Sequence, residues 1–301
     1  MKSLLPLALV FLCLGTVFGQ TPQAQQIAFE RADAVWVANL DGSGAKKIAG
    51  GQAPALSPDA TLLAFNTVQP MGQPAHRKIA VANLADGKVT VFNDVPSDNC
   101  LEPAWSPDGA KLLFTLYVKD EMRLALMNAD GSGFHYLQKE GGKTKAYWSA
   151  CWARDGQSIY AQDMEVIHQL SLEGADLKKW VVAKLAPKAS MGGDVTLAVS
   201  PDGGKLLMDL EMDEPVKRKD WDGPASALWT LDFMTGKATR VSPKGQLAWT
   251  GRWISPDQIV FLTQGPKDKD PVVCRAGLDG KGKTQILTDA RWMSVAPVSD
   301  K

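Results

Sequence analysis

Glu102-Pro103-Ala104-Trp105-Ser106-Pro107-Asp108-Gly109-Ala110-Lys111-Leu112-Leu113-Phe114 contains the phrase on which the fold turns, Ser-Pro-Asp-Gly between two apolar runs. Versions of it recur as Ser57-Pro58-Asp59-Ala60, Ala153-Arg154-Asp155-Gly156, Ser200-Pro201-Asp202-Gly203 and Ser255-Pro256-Asp257-Gln258, with the aspartates 49, 47, 47 and 55 residues apart. A period in the forties to fifties with short strands is the signature of propeller blades. Each phrase fits a type I turn. Pro sets φ, Asp hydrogen-bonds nearby amides and Gly accepts a positive φ, so Asp59, Asp108, Asp155, Asp202 and Asp257 read as structural turn residues rather than as a ring of reactive carboxylates.

Working outward from Asp108, Lys111–Tyr117 and Arg123–Met127 are apolar and strand-like. Asn128-Ala129-Asp130-Gly131-Ser132-Gly133 is a turn, and Phe134–Gln138 is a further strand. With Leu101–Trp105 ahead of the phrase, four strands make one blade. Third strands are expected at 34–39, 78–84, 123–127, 166–170, 227–231 and 272–276, and outer strands at 45–49, 88–93, 134–138, 177–183, 237–242 and 283–288. Both sets count six, but only five complete phrases exist. The sixth inner strand is assigned to Trp292–Pro297, ahead of a truncated echo, Ser299-Asp300-Lys301. The expected fold is therefore all-β, a six-bladed propeller of four-stranded antiparallel blades. The C-terminal inner strand joins three N-terminal strands and so removes exposed sheet edges.

Residues 1–19 carry Lys2, an apolar run from Leu4 to Leu14 and small residues ending at Gly19, the layout of a cleavable secretory signal with cleavage before Gln20. Residues 20–301 then form one domain: a split blade of 27–50 plus 291–301, and others at about 51–94, 95–140, 141–184, 185–242 and 243–290. A periplasmic or secreted monomer with no membrane span after cleavage is expected. The chain has 33 basic and 33 acidic side chains, and losing Lys2 leaves 32 against 33. That balance gives no electrostatic reason to expect nucleic acid as partner. Without Cys13 the cysteines are Cys100, Cys151 and Cys274, an odd number that leaves at least one thiol unpaired within the chain.

The stretch Glu102–Phe114, followed by a strand and Asn128–Gly133, resembles the WD-repeat-like blade of the TolB family of bacterial periplasmic propellers. The resemblance spans the mature chain and implies a six-bladed propeller in an exported protein, with a Tol-Pal-like envelope interaction as the corresponding role. It extends to the TolB propeller and not to that family's N-terminal α/β domain, since only Gln20–Gln26 lies between the signal and the first strand. Similar blades occur in prolyl oligopeptidase relatives and oligogalacturonate lyases. A peptidase of that kind needs a Gly-x-Ser-x-Gly elbow, and the sequence has none. His76, His135 and His168 fall in three different blades, which argues against a shared metal site. No metal and no cofactor is expected.

Loop lengths distinguish the two faces. Ser-Pro-Asp-Gly and Asp-Gly-Ser-Gly turns are short and share one face, whereas Val68–Arg77, Asp94–Cys100, Glu140–Trp148, Lys184–Asp194, Glu211–Ser226 and Gln264–Asp270 share the other. Binding residues concentrate on loops held by a rigid scaffold, so the long-loop face is the candidate surface, with His76, Arg77, Tyr147, Trp148, Lys217, Arg218, Trp221, Trp249, Arg252 and Trp292 as its residues. Tyr147, Trp148, Trp249 and Trp292 serve equally well as filling between blades. Trp105 and Trp152, three residues before their turn aspartates, match Leu56, Val199 and Ile254 in register and are assigned to packing. Two readings from different classes follow. One is a non-catalytic scaffold that binds a protein partner or an envelope glycan. The other is a polysaccharide lyase or glycan hydrolase at the channel mouth, with Asp194 or Glu102 as carboxylate and Arg252 or His76 as base.

Overall fold

The computed structural model of the protein describes residues 26–68, 76–137, 146–216 and 218–296. The predicted signal segment with residues 20–25, the tip of the 68–77 loop, residues 138–145, Lys217 and the end of the chain beyond residue 296 lie outside them. The described residues form six antiparallel sheets arranged around an axis. The N-terminal strands are β1 (Gln26–Arg31), β2 (Ala34–Asn39) and β3 (Lys46–Gly50). The second blade is β4 (Gln52–Leu56), β5 (Leu62–Asn66), β6 (Ile79–Asn83) and β7 (Val89–Val91), and the third is β8 (Cys100–Trp105), β9 (Lys111–Val118), β10 (Glu121–Asn128) and β11 (His135–Tyr136). The fourth comprises β12 (Ala150–Trp152), β13 (Ser158–Gln162), β14 (Val166–Ser171) and β15 (Asp176–Val181).

A short helix, α1 (Val182–Leu185), leads to the fifth blade. That blade has a strand not anticipated from the sequence, β16 (Ala189–Ser190), beside β17 (Leu197–Val199), β18 (Lys205–Met212), β19 (Ala225–Asp232) and β20 (Ala238–Arg240). Both β16 and β17 pair with β18, so the long 184–194 connection adds to the sheet. The sixth blade is β21 (Leu247–Trp253), β22 (Gln258–Gln264), β23 (Val272–Gly277) and β24 (Thr284–Thr288). The last strand, β25 (Met293–Val295), returns to the first blade and pairs with β1, Ile27 opposite Val295 and Phe29 opposite Met293. This closes the ring as the strand count requires.

Turn chemistry sets the blade register. In the second, third and fifth blades the serine hydroxyl donates to the turn aspartate, as Ser57 to Asp59 at 2.6 Å, Ser106 to Asp108 at 2.6 Å and Ser200 to Asp202 at 2.5 Å. The same hydroxyl accepts the amide five residues on, from Leu62, Lys111 and Lys205. The hydroxyl and amide bonds hold each of these carboxyls below the usual aspartate range. In Ser255-Pro256-Asp257-Gln258 the serine hydroxyl also donates to the aspartate, at 2.5 Å, but the register differs. Val199 pairs with Leu206 and Trp105 with Leu112, but Trp253 pairs with Ile259, one residue closer along the chain. The residue equivalent to Trp105 is therefore Trp253 and not Ile254.

That correction exposes a recurring staple. The indole nitrogens of Trp105, Trp152 and Trp253 donate to the carbonyls of Ala55, Ala104 and Ala198, each on the preceding blade, at 2.9, 3.2 and 2.9 Å. A second inter-blade tie comes from buried polar residues on second strands. Asn66 donates to the Cys100 carbonyl, Thr115 to that of Trp148 and Gln162 to that of Gly192. Between these ties the blades bury apolar faces against one another, as where Ala64, Ile79 and Val81 meet Leu112, Phe114 and Ala125. Among the described residues no helix is long and apolar enough to cross a membrane.

Candidate functional site

The six inner strands surround an axial cavity of about 220 Å³. Strand register places Ala55, Ala104, Cys151, Ala198, Arg252 and Ser294 at one level of its wall. Five of these side chains are small. The sixth is a guanidinium, which takes the space that the others leave. Towards the short-turn face the wall is Trp105, Trp152 and Trp253, and the rim is Pro107, Arg154, Ser200 and Pro201. The cavity thus reaches the face opposite the long loops.

The inner end carries the charge. Strands β4, β8 and β21 each have a bulge next to the axis, with Ala53, Glu102 and Thr250 at φ values of 48°, 53° and 50°. A left-handed conformation is costly for a side chain such as glutamate. At Glu102 it is held by the neighbouring blade, because the Glu102 amide donates to Asn66 Oδ1 at 3.0 Å. The bulge turns the Glu102 side chain into the cavity, whose wall here also includes Ser149, Thr196 and Trp292.

Electrostatics ties these groups together. Burial pushes the Glu102 carboxyl up to about 7, against the pull of Arg252 and the adjacent Ser149 hydroxyl, and Asp209 and Asp194 push it further up. Burial likewise raises Asp209 to about 6, although Thr196 donates to it through its amide at 3.0 Å and its hydroxyl at 2.6 Å. Arg252 Nη1 donates to the Gly251 carbonyl at 2.8 Å, and the guanidinium lies 6.0 Å from the Trp292 ring centre. Among the described residues no ion pair joins Arg252 to Glu102, Asp209 or Asp194. Ser149 Oγ is buried and completes no hydrogen bond, despite its proximity to Glu102. Such an arrangement can exchange protons near neutrality and can receive a polar group from a ligand.

The other residues named from the sequence sit apart from this cluster. His76 pairs with Asp98 at 3.3 Å, and Arg77 donates to Asn99 at 3.0 Å, on the rim of the second and third blades. Tyr147 is buried, edge-on to His168, and Trp148 packs on Gly193. Trp249 packs on the core of the sixth blade. Arg218 ties the long fifth-blade loop to the sixth blade through the carbonyls of Gly265 and Asp268, and Trp221 is exposed, with its indole N–H on the Pro224 carbonyl. Lys217 lies outside the described residues. His168 is fully buried between Asp163 and Asp176, which face its two ring nitrogens at 2.8 and 2.6 Å, and His135 is exposed. Cys100, Cys151 and Cys274 are free thiols, and burial lifts both Cys100 and Cys151 to about 12, so neither ionises near neutrality. No group of three metal-ligating side chains occurs among the described residues.

Asp209, Ser149 and Thr196 were not among the residues singled out by sequence. Asp209 had a readable signal, a carboxylate in the middle of Lys-Leu-Leu-Met-Asp-Leu-Glu-Met, where both neighbours are apolar.

No protein-family model and no curated protein matches the chain by sequence. Solved structures do match it in three dimensions. TolB from Acinetobacter baumannii superposes with a TM-score of 0.64 at 17% identity, covering 92% of this chain and 68% of that one. A chain of the nidogen/laminin complex gives 0.64 at 13% identity, covering 90% and 98%. A protein described as TolB from Agrobacterium tumefaciens gives 0.61 at 15% identity, covering 91% and 98%. The chain is a six-bladed β-propeller with the fold of the TolB propeller.

Proposed function

We propose that this chain is an exported, non-catalytic propeller scaffold of the cell envelope that binds a protein partner. The observation that carries the reading is the axial cavity, apolar at its walls and ending in charged groups that do not satisfy one another. At about 220 Å³ it lies below the roughly 300–1,000 Å³ of pockets that enclose a whole small ligand. A protruding tip of another protein suits that space better than a polysaccharide chain does. The long-loop face, with His76, Arg77, Arg218 and Trp221, is a second surface for such a partner. The solved relatives of this fold include TolB proteins and a chain from a protein–protein complex, which agrees with a Tol-Pal-like envelope role.

The test is affinity capture from envelope extract with mature protein, wild type beside Arg252→Met and Trp221→Ala. An envelope protein retained by the wild type and lost from either variant supports binding. A second reading has its own observation, two carboxyls with values of about 7 and about 6 beside an arginine, a pattern found in acid–base sites. A panel of envelope glycans and peptidoglycan fragments decides it. Turnover that Glu102→Gln abolishes would replace the scaffold reading with a lyase or hydrolase.

A further inference from the structure

The inner end of the axial cavity is short of positive charge. Two buried carboxyls, Glu102 and Asp209, share one guanidinium, the exposed Asp194 adds negative charge nearby, and that guanidinium is turned towards the Gly251 carbonyl and the Trp292 ring rather than paired with either. The hydroxyls add acceptors. Thr196 spends its proton on Asp209, which leaves its lone pairs available, and the buried Ser149 hydroxyl completes no hydrogen bond. Burial raises both Glu102 and Asp209 in spite of the pull of Arg252, so one guanidinium does not offset the desolvation of the pair.

The walls suit an aliphatic stem. The indole N–H groups of Trp105, Trp152 and Trp253 are committed to carbonyls of neighbouring blades, so these side chains offer ring surface and not donors. Ring surface favours methylene groups and also a passing cation. Depth adds a constraint. From Glu102 to Trp105, the end of β8, the inner strand rises three residues, about 10 Å at roughly 3.3 Å per residue, and the turn that carries Pro107 lies beyond it. A side chain reaching in from a flat surface is too short for that distance, so the group at the inner end must ride on a projecting segment.

We propose that the inner end of this cavity binds the ammonium group of a lysine side chain, carried at the tip of a loop or chain end of a protein partner that enters from the short-turn face. This rests on the protein-binding reading above and names the chemistry the partner presents. An ammonium has three donors and no acceptor, which matches Glu102, Ser149 and Thr196 as they stand.

The experiment uses mature protein at low salt and pH 8, with the peptide acetyl-Gly-Lys-Gly-amide as probe and the same peptide carrying norleucine or glutamate in place of lysine. Binding is read by calorimetry and by the fluorescence of the cavity tryptophans. The lysine peptide is expected to bind at least about tenfold more tightly than either control, a difference of about 1.4 kcal/mol. Glu102→Gln, with Ser149→Ala as a second variant, is expected to remove that preference while the melting profile shows a folded protein. No detectable binding of the lysine peptide, equal binding of norleucine, tighter binding of glutamate, or a preference untouched by both variants overturns the proposal. If an envelope protein captured by the wild type binds Glu102→Gln undiminished, the lysine inference fails and the scaffold reading stands. If nothing is captured and a glycan is turned over, the scaffold reading itself fails.

Discussion

Cutting the chain after Arg291 removes β25 and opens the ring. Met293 is fully buried on it, opposite Phe29, and Ala296 is nearly so. The Glu30 amide donates to the Trp292 carbonyl at 2.9 Å, and the Leu56 amide donates to Ser294 Oγ at 3.0 Å, so both the first and second blades lose partners. Burying a methionine is worth roughly 2–3 kcal/mol, and each lost hydrogen bond a net of about 1 kcal/mol. The whole strand is therefore worth about 5 kcal/mol, a large part of the roughly 5–15 kcal/mol that holds a typical domain. Urea unfolding followed by tryptophan fluorescence reads the loss directly. With a slope of about 3 kcal/mol/M, the midpoint falls by roughly 1.5 M. Met293→Ala alone should give about half that shift or more, since such truncations cost roughly 2–5 kcal/mol. A truncated chain whose midpoint lies within about 0.3 M of the full mature protein would refute the closure argument.

Four further outcomes can be checked. Glu102 and Asp209 have raised folded values, so the folded state binds more protons than the unfolded one between about pH 4.5 and 7, and their contribution to stability falls as pH rises through that window. The melting temperature of Glu102→Gln minus that of wild type should therefore grow from pH 5 to pH 8, and a constant difference contradicts the burial of Glu102. Trp253→Phe loses the bond to the Ala198 carbonyl and part of the buried indole volume, at a cost of about 2 kcal/mol or more in denaturant unfolding, and an unchanged midpoint would contradict the staple. Gly251→Ala sets a methyl 2.6 Å from Leu207 Cδ2, so a loss of about 1–3 kcal/mol is expected, and a neutral melt would show that the sixth blade shifts freely. Asn66→Ala removes the acceptor that holds the Glu102 amide and the donor to the Cys100 carbonyl. It should cost about 2 kcal/mol and also weaken any ligand seen in the cavity, and loss of stability with unchanged binding would separate the two roles.

The propeller was legible because its signal is local and repeated. Ser-Pro-Asp-Gly encodes its own turn through bonds that span at most five residues, and the strand count then forces the ring to close. The Ile254 register slipped for a related reason: Gln258 stands where the other turns have Gly or Ala, and the hairpin is one residue shorter. The cavity cluster was legible in part. Glu102, Arg252, Asp194 and Trp292 stand out by type, but their meeting depends on a bulge held from the neighbouring blade by Asn66, a contact that crosses 36 residues of sequence. Ser149 and Thr196 give no sign of their place, because a serine or threonine beside an inner strand looks like any turn residue. Tyr147 and Trp148 are open to two readings from sequence, surface anchor or filling between blades, and the structure packs the former against His168 and the latter against Gly193.

The pairing of Ile27 with Val295 brings the two ends of the described chain side by side within one sheet. Their separation is a matter of genetic order rather than of architecture. A linker joining the ends, with a new opening at the turn around Met234, whose side chain is 95% exposed, gives a circular permutant with the same six sheets. In that protein the first blade is a continuous hairpin array and the fifth blade becomes the seam.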